Sequence, residues 1–148
     1  MAKYAYIKIP IIGPPKMIFK ETEDVSYYDF RDAVGGYFET VPVDELTGLI
    51  LLVDEDGINK RLLPNFTATG LYAPDDVLLF GDVVLCRSGV NRYGEPDIMA
   101  IPLEKAVEEY GSIYAASFIN HLKAEVADDY RKTAERTRCD SQEGKPED

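Results

Sequence analysis

The chain has 148 residues, a formal net charge of −11 and 45% hydrophobic residues, which is enough apolar material for one domain with a buried core. Binding to a phosphate backbone depends on Lys and Arg, and here 16 of them are outnumbered by 27 Asp and Glu, so direct nucleic-acid binding is not expected. Two cysteines and one histidine are too few for a disulfide framework or an ordinary zinc site.

The sequence contains no run of about 18 apolar residues, and its first residues lack the apolar segment of a signal peptide. We therefore expect a cytoplasmic protein that does not bind membranes. Neither a metal nor another cofactor is expected.

The first part of the chain predicts two strands and a helix. Residues 4–9 alternate weakly and are rich in strand-forming types, and residues 17–19 can return as a second strand. A helix is expected to begin after Ser26, which can cap it, and to end at Gly35-Gly36, because glycine accepts the left-handed conformation beyond the last turn.

The middle of the chain predicts strands linked by tight turns. Residues 37–43 alternate, and residues 49–53 form the continuous apolar run that is typical of a central strand buried on both sides. Asp56-Gly57 is a strong hairpin signal, so residues 58–63 are expected to be the returning strand.

A short helix is predicted between these strands and the last ones. Asn65 can cap it, and it can run through Tyr72. Residues 83–86 and 98–101 are then the remaining strands.

Two helices are predicted at the C-terminal end, over residues 102–137, separated by a break at Gly111-Ser112. In the longer one, apolar residues recur at three- and four-residue steps, which predicts a core or dimer face. This stripe consists of Ala115, Phe118, Ile119, Leu122, Val126 and Tyr130. Residues 139–148 contain no large apolar side chain and are expected to be a disordered acidic tail.

Together these elements predict a single α+β domain over residues 1–138. We expect a mostly antiparallel sheet of five or six strands, with one helix before it and two C-terminal helices. The hairpin-length connections argue against a doubly wound parallel sheet.

The sequence offers little chemistry for catalysis. Its only histidine, His121, lies in the predicted long helix and suits a surface position, and Cys86 lies in an apolar strand, which favours a buried, unreactive thiol. No phosphate-binding glycine motif of established spacing occurs. We therefore expect that the protein is not an enzyme.

Four blocks between Phe30 and Ser88 follow the order and spacing of one family. They are VGGYFE at 34–39, ILLVDEDG at 50–57, LPNFTAT at 63–69 and FGDVVL at 80–85. Residues 30–88 thus resemble domain of unknown function 3846, which is found in phages, plasmids and some bacterial genomes. The family has no established activity, so the resemblance implies a mobile-element accessory protein in a bacterial host cell and does not imply a mechanism.

The predicted helix start at Asn65 suggests a binding site. Exposed N–H groups and hydroxyls at a helix start suit an anionic, nucleotide-like ligand, although capping alone also accounts for Asn65. A carboxylate can accept a hydrogen bond from a base, and Arg suits phosphate through its bidentate fork. The candidate ligand-binding residues are Asn65, Thr67, Tyr37, Glu39, Arg31, Arg61 and Arg87.

Three functions stay open at this point. The first is a non-enzymatic counter-defence protein that forms homo-oligomers and sequesters a small anionic, nucleotide-like ligand. The second is an acidic protein that binds and inhibits a host protein, with its charge steering association or mimicking nucleic acid. The third is an enzyme that processes a nucleotide.

Overall fold

The computed structural model describes the backbone of residues 1–143 and the side chains of residues 1–134. In this range the chain forms seven strands and three helices, none of them long and apolar enough to cross a membrane. In chain order they are β1 (Tyr4–Ile9), β2 (Lys16–Lys20), α1 (Tyr27–Val34), β3 (Phe38–Asp44), β4 (Leu49–Asp54), α2 (Phe66–Tyr72), β5 (Val83–Val90), β6 (Pro96–Met99), β7 (Ile101–Pro102) and α3 (Leu103–Glu143).

All strands belong to one antiparallel sheet, which confirms the predicted α+β class. The order across it is β2-β1-β5-β4-β3, with β6 paired to β5 and β7 paired to β1. Strand β5 lies at the centre, where Leu85 is opposite Ile7 on one side and Leu51 on the other. The sheet has seven strands because the segment predicted over 98–101 is divided between β6 and the two-residue β7.

Helices cover both faces of the sheet. On one face, Leu49, Leu51 and Leu85 pack toward α2 and α3. On the other face, Ile50 and Leu52 pack against α1. Because side chains alternate along a strand, β4 is buried over its whole length, as its apolar run predicts.

Helix α1 begins and ends where the sequence predicts. The Ser26 hydroxyl oxygen accepts a hydrogen bond from the Tyr28 N–H at 3.2 Å, and Gly35 ends the helix with φ of 96°. Phe30 and Val34 are buried against the sheet. The predicted position of this helix before the sheet is wrong, because β1 and β2 precede it and belong to the same sheet.

The predicted hairpin at Asp56-Gly57 is also wrong, because residues 55–61 form turns and residues 58–63 form no strand. The Asp54 carboxylate accepts a hydrogen bond from the Asp56 N–H at 2.8 Å, and the Leu62 N–H donates to the Gly57 carbonyl at 2.9 Å. Strand β4 is already paired to β3 and β5, so a returning strand would have no free edge to join.

The two predicted C-terminal helices are one. Helix α3 is continuous through Gly111 and Ser112, because glycine costs a helix only about 1 kcal/mol and still has the N–H that the helix needs. Ala106 and Ile113, on either side of the glycine, are both fully buried against the sheet and hold the helix there.

The predicted disordered tail begins too early. No Gly or Pro occurs between Ser112 and Gly144, and α3 extends to Glu143, five residues into the segment predicted as tail. Residues 144–148 lie outside the described residues.

Candidate functional site

Asn65 lies at the start of α2 and is fully buried. Its Oδ1 accepts a hydrogen bond from the Ala68 N–H at 3.0 Å, and its Nδ2 donates to the carbonyl oxygens of Ile9 and Gly81, both at 2.9 Å. The side chain therefore joins α2 to β1 and to the turn before β5. The expectation that Asn65 is exposed to a ligand is wrong, because its polar atoms are bonded within the fold.

Thr67 is also largely buried, but unlike Asn65 it lines a surface groove. Its Oγ1 accepts a hydrogen bond from Asn120 Nδ2 of α3 at 3.1 Å. Among the described residues, no hydrogen bond uses the side-chain Oδ1 of Asn120 or the hydroxyl proton of Thr67. Both side chains line a groove, so this pair can offer it one donor and one acceptor.

The groove lies between α2, α3 and the loop that joins β1 to β2; we name it the α2–α3 groove. Its volume is about 380 Å³. Most of its lining is apolar, and Ile12, Leu63 and Phe66 are each at least 60% exposed. The lining residues are Ile11, Ile12, Gly13, Leu63, Pro64, Phe66, Thr67, Ser117, Asn120, His121 and Ala124.

Hydrogen bonds hold the β1–β2 loop in place as one wall of this groove. At its start, the Ile11 N–H donates to Asp82 Oδ1 at 3.0 Å, and Lys8 Nζ lies 3.5 Å from the other oxygen of the same carboxylate. Farther along, the Ser117 hydroxyl of α3 donates to the Gly13 carbonyl at 3.3 Å. The loop is therefore connected both to the sheet and to α3.

The second wall, α2, is fixed to α3 by a short hydrogen bond. The Tyr72 hydroxyl donates to Glu109 Oε2 at 2.6 Å, and Lys105 Nζ lies 3.2 Å from the other Glu109 oxygen. Burial, reinforced by the bond to the carboxylate, raises the pKa of Tyr72 far above its usual range. Helix α2 is thus tied to α3 near both of its ends, at Thr67 and at Tyr72.

The α2–α3 groove carries almost no charge. His121 is the one ionisable side chain among its lining residues, and its Nε2 lies 3.1 Å from Glu125 Oε1. The side chain is exposed, which confirms the predicted surface position of this histidine. Because no Lys or Arg lines the groove, its lining suits the neutral part of a ligand better than a phosphate.

Two of the other candidate residues lie together, elsewhere on the surface. The Arg31 guanidinium lies over the ring of Tyr37, 5.1 Å from its centroid, in a cation–π arrangement. Arg61 is exposed and has a left-handed φ of 58°, in the turns after β4. None of these three residues lines the α2–α3 groove.

Arg87 has a structural role within the fold. Its guanidinium donates to the Ala100 carbonyl at 3.2 Å and to Glu23 Oε2 at 2.7 Å. It therefore holds the connection between β2 and α1 against the end of β6. Arg87 does not line the groove either.

Glu39 lies on β3 beside an acidic recess of about 380 Å³ that Asp54 and Asp56 also line. The buried Asp54 carboxylate is 2.8 Å from Lys60 Nζ, and this hydrogen bond raises the pKa of the lysine. In the part of the chain that the structure describes, no three His, Cys, Asp or Glu side chains are grouped to hold a metal ion.

Cys86 is fully buried on the α1 side of the sheet. Burial raises the pKa of its thiol well above the usual range, so the thiolate is disfavoured. This confirms the predicted buried thiol.

Sequence reasoning identified Thr67 but missed most of the groove. The apolar wall of the groove comes from residues that lie just before a strand or helix or at its first position. Nothing in the local sequence pattern shows that these residues contact α3. The one signal in the sequence is an aromatic residue, Phe66, directly before the candidate Thr67. No family model, no curated protein and no solved structure matches this chain.

Proposed function

We propose that the protein is a non-enzymatic binding protein that holds a nucleotide-like ligand in the α2–α3 groove. One observation carries the proposal: an apolar, partly exposed surface encloses the polar pair formed by Thr67 and Asn120. Small-molecule sites are typically mostly apolar clefts of about 300–1,000 Å³ with a few polar groups that fix orientation.

The chemistry of the lining favours the base of such a ligand. A nucleobase has apolar faces and hydrogen-bonding edges, and the exposed ring of Phe66 offers a surface for stacking. The side-chain Oδ1 of Asn120 can then accept a hydrogen bond from the edge of the base, and the Thr67 hydroxyl can donate one. The phosphate would extend into solvent, because the lining provides no Lys or Arg to neutralise it.

The biological setting of this proposal rests on the predicted resemblance of residues 30–88 to a domain of phages and plasmids, which stays a prediction because no family model matches the chain. In a bacterial host cell, a mobile-element protein that sequesters a nucleotide signal would act in counter-defence. Sequestration requires affinity and does not require a catalytic group, so a groove built only for binding is sufficient.

A thermal-shift panel tests the proposal. Nucleosides, mononucleotides and cyclic nucleotides are each added at millimolar concentration, and at least one is expected to raise Tm by several degrees, since ligand at 100 times Kd stabilises a protein by about 2.7 kcal/mol. A nucleoside should retain most of the shift of its nucleotide. The absence of a shift with every compound would reject the proposal.

Matched variants locate the site. Phe66→Ala is expected to abolish the shift without unfolding the protein, because the side chain is exposed. Tyr93→Ala removes an equally exposed aromatic side chain from the turn between β5 and β6 and should leave the shift unchanged. A ligand whose shift survives Phe66→Ala binds elsewhere and contradicts the groove.

A further inference from the structure

The apolar stripe of α3 does not contribute to the core of this chain. Helix α3 packs on the sheet through its first part, where Ala106 and Ile113 are buried. From His121 to Ala134 every side chain is exposed except Asp128, which is half-buried. This second part of the helix continues away from the sheet, and residues 121–143 span about 34 Å at the α-helical rise of 1.5 Å per residue.

Five exposed apolar side chains of α3 form one continuous ridge. They occur at every fourth residue and are between 42% and 77% exposed: Tyr114, Phe118, Leu122, Val126 and Tyr130. Side chains at i, i+4 and i+8 form such ridges, and packing these ridges of two helices together gives a crossing angle of about −50°, the commonest class in globular proteins. The spacing is therefore suited to contact with another helix.

We propose that this ridge, which we name the α3 ridge, packs against the same ridge of a second copy of the chain. The inference is independent of the ligand proposed for the groove. In a two-fold arrangement centred on Leu122, each Phe118 lies beside a Val126 of the copy, and each Tyr114 lies beside a Tyr130. The same surface of each chain therefore forms both sides of the interface.

The area of the ridge approaches that of a small dimer interface. Aromatic side chains bury about 150–250 Å² each when fully covered, so three aromatic residues that are 51% to 77% exposed, with Leu122 and Val126, offer on the order of 500 Å² per copy. One partner of a standard interface buries about 800 Å², and one partner of a weak interface buries less than about 600 Å². The neighbouring Ile119, which is 49% exposed, adds to the area of the ridge.

The charges around the ridge also permit contact between identical chains. A net charge of −11 opposes self-association elsewhere on the surface. Between Gly111 and Ala134, however, three basic side chains match three acidic ones, so this segment has no net charge when His121 is neutral. The charged residues are Lys123, Glu125, Asp128, Asp129, Arg131 and Lys132.

Sedimentation or light scattering over micromolar to near-millimolar protein tests the inference. The wild-type mass should approach twice the 16.6 kDa of one chain, and Phe118→Glu and Val126→Glu should each restore the monomer mass. Val107→Glu is the control, because it places the same charge at an exposed apolar position of α3 outside the ridge. A wild-type protein that is monomeric at all concentrations overturns the inference and indicates that the ridge contacts a different polypeptide. A dimer that persists in both ridge variants also overturns it.

Oxidative cross-linking provides a second measurement. In a chain with Cys139→Ser, Leu122→Cys is expected to form a covalent dimer, because the central residue of a two-fold interface meets its own copy. Cys86 does not compete, since it is fully buried. Val107→Cys should remain monomeric under the same conditions, and equal cross-linking at both positions would contradict a specific ridge interface.

Discussion

The two parts of α3 differ in what surrounds them, although they belong to one continuous helix. Residues 103–113 pack on the sheet and on α2, where small Ala106 and branched Ile113 are fully buried. Residues 121–134 also carry large apolar side chains, and these are exposed. Hydrophobicity along a helix therefore does not by itself decide which part is buried, because burial also requires a surface of the same chain to pack against.

Substitution of one apolar residue in each part gives the largest expected contrast. Ile113→Ala should lower the free energy of unfolding by about 3 kcal/mol, because it leaves a cavity under the helix. In dilute protein, Val126→Ala should change it by less than about 0.5 kcal/mol, since an exposed side chain loses little on truncation. Urea unfolding followed by circular dichroism measures both values, and similar losses in the two variants would contradict the comparison.

The packed part of α3 rests on α2, whose position depends on Asn65. Asn65→Ala removes a helix cap and leaves the buried carbonyls of Ile9 and Gly81 without their donor, so we expect a loss of about 2–3 kcal/mol. Asn65→Asp is the matched variant. Its carboxylate retains the cap but cannot donate to either carbonyl, so the denaturation midpoint should also fall; a stable Asn65→Asp protein would contradict the assigned donor role.

Tyr72 and Glu109 connect the same two helices at the other end of α2. Tyr72→Phe should cost about 1.5 kcal/mol, the lower end of the net value of a hydrogen bond to a charged acceptor, because the site is only half-buried. The control is Tyr93→Phe, which alters an exposed hydroxyl and should have no measurable effect.

The Tyr72 bond also predicts a dependence on pH. Because the pKa of Tyr72 is raised in the folded protein, the folded state keeps the hydroxyl proton, while the unfolded state loses it near pH 10.0, the usual pKa of tyrosine. Its contribution is complete below this pH and is lost as the pH rises above it. Unfolding free energies at increasing alkaline pH should therefore fall more steeply for wild type than for Tyr72→Phe, and parallel curves would contradict the assignment.

Gly111 lies between the two parts of α3, and its substitution is expected to change the free energy of unfolding least. An added Cβ would meet no atom within 4 Å, so Gly111→Ala should stabilise the protein by about 0.5–1 kcal/mol through helix propensity and a restricted unfolded state. Thermal unfolding measures the gain. A loss of stability would indicate that the helix bends or breaks at this residue.

Several elements could be predicted from the sequence because local chemistry determines them. Ser26 and Gly35 mark the ends of α1 through a side-chain cap and a left-handed residue, and both occur in the structure. The apolar run of β4 likewise predicted a strand buried on both faces. In each case the signal lies within one element and its immediate neighbours.

The failures of prediction share a different cause. Asp56-Gly57 is suited to a hairpin, but β3 and β5 already occupy both edges of β4. Asn65 is suited to an exposed cap, but the carbonyls of Ile9 and Gly81 approach its amide from distant parts of the chain. None of the three candidate Arg side chains lines the groove with Thr67, because a local pattern does not show which distant residues meet in the fold.

The sequence by itself determined the antiparallel α+β class, most element boundaries and the apolar periodicity of the last helix. Only the tertiary structure decided that α3 buries Ala106 and Ile113 while Phe118, Leu122 and Val126 stay exposed, and that Thr67 meets Asn120 beside an apolar groove. Periodicity shows which side chains share a face of a helix, because it follows from local geometry. Which part of that face is covered depends on where the sheet ends, and the sheet is assembled from residues distant in the sequence.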